Sequence, residues 1–142
     1  MNNNSNKLHC VLKPHRKTDQ PRSILVVDDE PAVAKMIVMS LRRLGHSDIG
    51  IAYEGRKALE IAKQTLPDVV IVDIDMPGMD GIEMALNLVV FHPCSIIFST
   101  GLWDDKTLRR SREIPSSSYL VKPFGPGQLQ AAVHLAALDD LQ

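Results

Sequence analysis

The hydrophobic residues of the chain alternate between short continuous runs and stretches with helical spacing. The runs 24–27 and 69–72 consist of Ile, Leu and Val, and each is followed directly by an aspartate. Short, largely β-branched runs of this kind are typical of strands buried on both faces. The whole pattern predicts five strands, at residues 24–27, 48–52, 69–72, 95–100 and 119–121.

Five stretches that follow these runs predict helices. Pro31 suits a first helical turn, Val33, Ile37 and Leu41 recur at helical spacing after it, and Gly45 marks the end. The predicted helices cover residues 31–44, 55–66, 81–91, 104–113 and 126–138. Five repeats of strand and helix indicate an α/β fold in which helices cover both faces of a parallel sheet. Right-handed crossovers favour a doubly wound arrangement of its five strands.

The length of 142 residues fits one domain. Residues 1–22 are rich in Asn, Lys, Arg and Pro and lack periodicity, which predicts a flexible N-terminal tail before a domain at 23–142. The tail could also be a docking arm or a targeting segment, although it lacks the apolar core of a secretion signal. No apolar run reaches the roughly 20 residues that a membrane span needs, so we expect no membrane association.

Charge and cysteine content narrow the classes of function. The formal net charge is −1 and no basic patch follows the last predicted helix, which gives no indication of direct nucleic-acid binding. Cys10 and Cys94 form neither a zinc-site spacing nor a disulfide framework. Two reduced thiols are consistent with a cytoplasmic protein.

Polar residues whose side chains could bind a ligand or take part in a reaction lie at the ends of the predicted strands. Asp28 and Asp29 follow the first strand, Asp73 follows the third, Thr100 closes the fourth and Lys122 follows the fifth. Because ligands of such sheets bind beyond the carboxyl ends of the strands, we expect these side chains in one shallow cleft. Crowded carboxylates need protons or a cation, and their hard oxygens favour Mg2+. An incoming phosphoryl group would be stabilised there while a carboxylate of the cluster attacks.

Each of these residues has a simpler explanation when it is considered alone. An acidic pair after a strand is more often a solvated turn or a helix cap, Thr100 could satisfy backbone groups, and Lys122 could be a surface charge. Their common position at one edge of the predicted sheet favours the functional interpretation.

The segments ILVVDDEP, PDVVIVDIDMPGMDG, FSTG and YLVKPF resemble the receiver domain of two-component response regulators, the family typified by the chemotaxis response regulator. The likeness spans roughly residues 22–140. It implies a flavodoxin-like sheet with strand order 2-1-3-4-5. It also implies that Asp73 is the phospho-acceptor, and that Asp28, Asp29, Asp73 and the backbone carbonyl of Asp75 bind Mg2+.

The resemblance further implies how the domain would signal. Thr100 and Lys122 would contact the phosphoryl oxygens, and Tyr119 would be the aromatic switch that turns inward. The donor would be a phosphohistidine on a sensor histidine kinase or a histidine phosphotransfer protein. The surface of the fourth helix, fifth strand and fifth helix would then contact an unidentified downstream protein, and could also form a homodimer through residues such as Arg110. The domain would modify its own side chain and would not be a turnover enzyme.

Several points stay open at the level of sequence. Asp75 is an unusual acid two positions after the acceptor, and we expect its charge to affect metal affinity or phosphoryl lifetime. Asp73-Ile74-Asp75 also fits the Asp-x-Asp motif of haloacid dehalogenase phosphatases, although here it follows the third strand and not the first. A second alternative is an inert, receiver-like binding module. The chain is expected to be a stand-alone receiver or a fragment of a longer regulator.

Overall fold

A computed structural model of the chain describes residues 23–101 and 104–140, so the predicted tail at 1–22 lies outside the described residues. Its centre is a sheet of five parallel strands in the order β2-β1-β3-β4-β5. The strands are β1 (Ile24–Val27), β2 (Ile49–Ala52), β3 (Val69–Asp73), β4 (Ser95–Thr100) and β5 (Ser117–Val121). The order reverses between β1 and β3, which confirms the predicted doubly wound topology and places a crevice at that point.

Helices lie on both faces of the sheet, as predicted. They are α1 (Pro31–Arg43), α2 (Gly55–Thr65), α3 (Gly81–Phe91), α4 (Asp105–Ser111) and α5 (Pro126–Asp140). One apolar core joins the sheet to α2 and α3, and the other joins it to α1 and α5. Alternate strand residues supply the two cores, so that Leu25 and Val27 face one of them while Ile24 and Val26 face the other. This explains why the central strands are continuous apolar runs.

The element boundaries depart from the predicted ones by up to two residues. Strand β5 begins at Ser117 and not at Tyr119, because its backbone pairs with β4 from Ile96 onward whatever the side chain. Helix α4 ends at Ser111. Its predicted first residue, Asp104, is instead the N-cap, whose carboxylate accepts the N–H of Thr107 at 2.8 Å.

None of the helices in the described ranges, 23–101 and 104–140, combines the length and the hydrophobicity needed to cross a bilayer.

Candidate functional site

Backbone hydrogen bonds hold the predicted site residues at the carboxyl edge of the sheet. The N–H of Asp28 donates to Ala52 O at 3.2 Å, which extends the β1–β2 ladder by one residue. Asp73 is the last residue of β3. The N–H of Lys122 donates to the carbonyl of Thr100 at 3.0 Å, so these two residues are fixed relative to each other.

The ammonium group of Lys122 forms ion pairs with two carboxylates, one directly after β1 and one at the end of β3. Its Nζ lies 3.0 Å from Asp28 Oδ2 and 3.4 Å from Asp73 Oδ2. The two carboxylates are almost fully buried, with side chains 1% and 5% exposed, whereas the lysine side chain is 23% exposed. Buried carboxylates need partners of this kind, because an unpaired charge in the interior is strongly destabilising. The base of the cleft predicted from the sequence therefore consists of two buried carboxylates, those of Asp28 and Asp73, which we call the acidic floor.

The remaining carboxylate oxygens of the floor accept backbone hydrogen bonds. Asp28 Oδ1 accepts the N–H of Glu30 at 3.0 Å, and Asp73 Oδ1 accepts the N–H of Asp75 at 3.3 Å. These bonds fix the orientation of both carboxylates before any ligand arrives. Such preorganisation is favourable for binding a cation or a phosphoryl group.

Three carboxylates of this edge could share one metal ion. Asp28, Asp29 and Asp73 each offer an oxygen, and these oxygens all lie within 4.8 Å of one another. Two oxygens bound to one Mg2+ at about 2.1 Å are at most about 4 Å apart. Small movements would therefore bring the three carboxylate oxygens close enough together to bind one ion. Lys122 forms ion pairs with two of these three carboxylates, and the negative charge that its single positive charge does not balance suits a divalent cation. The donor set thus fits Mg2+.

The titration properties of the site follow from burial and charge. Burial raises the pKa of Asp73 to about 6, the charge of Asp28 acts in the same direction, and Lys122 opposes both. For Lys122, burial lowers the pKa, but the hydrogen bond to Asp28 and the two carboxylate charges outweigh it, so the pKa is raised. Lys122 is therefore a permanent cation at neutral pH, while Asp73 carries a charge that its surroundings disfavour.

Thr100 and Asp75 contact each other beside the acidic floor. The buried hydroxyl of Thr100 donates to Asp75 Oδ2 at 2.8 Å, and the Asp75 side chain lies at the exposed mouth of the cleft. The carboxylate of Asp75 does not belong to the metal-ligand group found among the described residues, so the predicted metal contact would use its backbone carbonyl.

Tyr119 lies on the edge strand β5 and connects to both β4 and α4. Its ring stacks on Phe98 with the centroids 6.3 Å apart and the planes at 25°. Its hydroxyl lies 3.3 Å from Ser111 Oγ, and the residue is 40% exposed. The ring is thus half-buried, in contact with the strand that carries Thr100.

Two features of the site could not be read from the sequence. The first is an ion pair of Arg110, whose guanidinium lies 3.0 Å from the Oδ2 atom of Asp80, the N-cap residue of α3. The partners are 30 residues apart, with no local signal to connect them. The second feature is Gly81, where an added Cβ would lie 2.9 Å from Ile74 Cα and would collide with the carbonyl of Asp73. Helix α3 therefore begins directly against the backbone of Asp73.

Comparison with known proteins gives one consistent family. The family model described as "Response regulator receiver domain" matches residues 24–134. The transcriptional regulatory protein PdtaR of Mycobacterium tuberculosis is 34% identical over 116 residues, which cover 82% of this chain and 57% of that protein. The DNA-binding response regulator MtrA of Mycolicibacterium smegmatis is 34% identical over 110 residues, 78% of this chain and 48% of that protein. The chain thus spans about half the length of these relatives.

Solved structures agree with this result. The structure of a putative response regulator from Chloroflexus aurantiacus has a TM-score of 0.74 and 32% identity, and the match covers 84% of this chain and 99% of that one. The chemotaxis protein CheY4 of Vibrio cholerae has a TM-score of 0.75 and 26% identity, with 80% and 97% covered.

Proposed function

The chain belongs to the family of response regulator receiver domains, and from that membership we propose that Asp73 accepts a phosphoryl group in a Mg2+-dependent transfer. The observation that carries the proposal is the placement of Lys122 between two buried carboxylates, Asp28 and Asp73. An ammonium beside the acceptor supplies positive charge where phosphoryl oxygens would lie.

In the proposed transfer, an Asp73 carboxylate oxygen attacks the phosphorus of a phosphohistidine. The new O–P bond replaces the P–N bond, and the imidazole nitrogen of the donor keeps the electron pair and takes up a proton. The result is an acyl phosphate on Asp73 and a free histidine. Attack by water at the same phosphorus would later release inorganic phosphate and restore the carboxylate. The domain thus modifies only its own side chain.

Each residue of the cleft has a role in this proposal. Asp28, Asp29, Asp73 and the carbonyl of Asp75 would hold Mg2+, which when bound offsets the negative charge of carboxylates and phosphoryl oxygens. Glu30 contributes its N–H, which keeps Asp28 oriented.

Two further side chains would contact the new phosphoryl group. Lys122 would pair with its oxygens from the position that it already occupies beside Asp73. The hydroxyl of Thr100 would donate a hydrogen bond to it. Because Thr100 lies on the strand next to Tyr119, its movement would change the space available to that ring. The altered surface of α4, β5 and α5 would then be the signal.

We propose that the partners are a sensor histidine kinase or a histidine phosphotransfer protein as donor, and a downstream protein that binds the α4-β5-α5 surface, which could also form a homodimer. MtrA is named as a DNA-binding regulator, but this chain matches only 48% of it, and we propose protein contact as the output of the matched part. The transfer would take place in the cytoplasm, a compartment that keeps protein cysteines reduced.

Intact-mass spectrometry with a small phosphodonor tests the proposal. The wild type, incubated with acetyl phosphate and Mg2+, should gain the mass of one phosphoryl group, and EDTA should prevent the gain. Asp73→Asn should gain nothing, whereas the control Asp105→Asn, which alters an exposed acid of α4, should behave like the wild type. A folded wild type that stays unlabelled would instead support the inert binding module. The haloacid dehalogenase alternative has no support from the family match.

A further inference from the structure

The contact between Thr100 and Asp75 suggests a second role for the acid that follows the acceptor. The Thr100 hydroxyl donates to Asp75 Oδ2 at 2.8 Å. A threonine hydroxyl carries one hydrogen, so it donates to one acceptor at a time. Under the proposed function, the same hydrogen has to be donated to a phosphoryl oxygen on Asp73. The carboxylate and the phosphoryl group therefore compete for a single donor.

We propose that Asp75 is a positioning residue that holds Thr100 in the unphosphorylated state and thereby opposes switching. This inference rests on the proposed function of Asp73. It assigns to the Asp75 side chain an action through Thr100 that differs from binding metal through its carbonyl.

The surroundings of the two residues support this role. Thr100 is fully buried, so its hydroxyl needs an acceptor within the protein, and Asp75 provides a charged one. The main chain of Asp75 is tied to the acceptor as well, because its N–H donates to Asp73 Oδ1 at 3.3 Å. The exposed position of the Asp75 side chain leaves it free to turn into water once Thr100 has left it. The contact is thus close to the reaction centre and reversible.

A double-mutant cycle on phosphoryl-analogue binding tests the inference. Affinity for beryllofluoride is measured by calorimetry at saturating Mg2+ for the wild type, Asp75→Ala, Thr100→Val and the double variant. A hydrogen bond to a charged group at an exposed position is worth roughly one factor of ten. We therefore expect Asp75→Ala to bind about 10-fold more tightly than the wild type. In the Thr100→Val background, the same replacement should change affinity by less than about 2-fold.

Asp75→Asn separates hydrogen bonding from charge. It keeps an acceptor for Thr100 without the negative charge, so its affinity should lie between those of the wild type and Asp75→Ala. Mg2+ affinity is measured separately for every variant, so that an altered metal site is recognised. Should Thr100→Val fail to fold, Thr100→Ala takes its place in the cycle.

The outcomes distinguish this inference from the proposed function. If Asp75→Ala increased the affinity for beryllofluoride equally with Thr100 present and with Thr100→Val, Asp75 would act by charge repulsion alone. This result would overturn the positioning role but would leave Asp73 as the acceptor. The absence of any tightening in Asp75→Ala would also overturn it. A wild type that does not bind beryllofluoride would overturn the proposed function itself, and this inference with it.

Discussion

Replacing Asp73 by asparagine should stabilise the metal-free protein at neutral pH. The substitution keeps the shape and the hydrogen-bond acceptor for the N–H of Asp75, but removes a buried charge. The raised pKa of Asp73 means that the folded state disfavours its ionised form. The wild type therefore has its full stability below the unfolded-state pKa of 3.8, and loses stability as the pH rises through about 6.

The magnitude follows from the two pKa values. The interval between 3.8 and about 6 corresponds to about 3 kcal/mol in the free energy of unfolding. The neutral asparagine amide interacts less favourably with the Lys122 ammonium than the carboxylate does. This loss reduces the increase in the free energy of unfolding. We expect Asp73→Asn to be about 1 to 3 kcal/mol more stable than the wild type at pH 7.5 without divalent metal. Below pH 4 the two should be equally stable.

Urea unfolding followed by circular dichroism from pH 4 to pH 8 measures this difference. The control Glu113→Gln removes an exposed charge, so its free energy of unfolding should stay within about 0.5 kcal/mol of the wild-type value at every pH. Mg2+ should then stabilise the wild type more than Asp73→Asn, because the variant has lost one ligand of the proposed site. A variant that is less stable than the wild type at pH 7.5, or a pH profile parallel to that of the wild type, would refute this reasoning.

Four other expected outcomes concern the pH dependence of labelling, the Lys122 ion pairs, the packing at Gly81 and the buried hydroxyl of Ser99. At limiting Mg2+, the rate of labelling by acetyl phosphate should fall as the pH decreases through about 6, because protonated Asp73 is no nucleophile; a pH-independent rate would contradict this. Lys122→Met should lower the free energy of unfolding by about 2 kcal/mol at pH 7, because two buried carboxylates lose their cation; urea titration would show no change if the pairs were unimportant. Gly81→Ala should cost at least about 2 kcal/mol through overpacking, whereas Gly127→Ala, with open space around it, should be tolerated. Ser99→Ala should be neutral or up to about 1 kcal/mol stabilising, since the Ser99 hydroxyl is buried without a hydrogen-bond partner in the described part of the chain; a loss above 1 kcal/mol would indicate an unseen partner.

The topology could be predicted from sequence because a few strong local signals determine it. Val69 to Val72 is short, apolar and β-branched, which favours a buried strand over a helix, and Pro31 and Gly45 mark the two ends of the first helix. Once the strands are parallel, the carboxyl ends must share one edge. The grouping of Asp28 and Asp73 followed from that rule alone.

Other features depend on tertiary contacts that have no local signal. The start of β5 at Ser117 is determined by pairing with β4, since serine itself has little preference for strands. The ion pair between Arg110 and Asp80 joins α4 to the N-cap of α3, and one arginine among several on a polar helix gives no hint of it. The hydrogen bond from Thr100 to Asp75 likewise depends on how the β3–α3 loop folds back over the sheet edge.

Chemical mapping of the labelled residue shows which aspartate accepts the phosphoryl group. After incubation with acetyl phosphate and Mg2+, borohydride reduction converts an acyl-phosphorylated aspartate to homoserine, and peptide mass spectrometry locates it. We expect homoserine at position 73 and at no other aspartate, and we expect none when EDTA is present. Homoserine at Asp28, Asp29 or Asp75, or a stable label that resists borohydride, would contradict the claim that the buried carboxylate beside Lys122 is the acceptor.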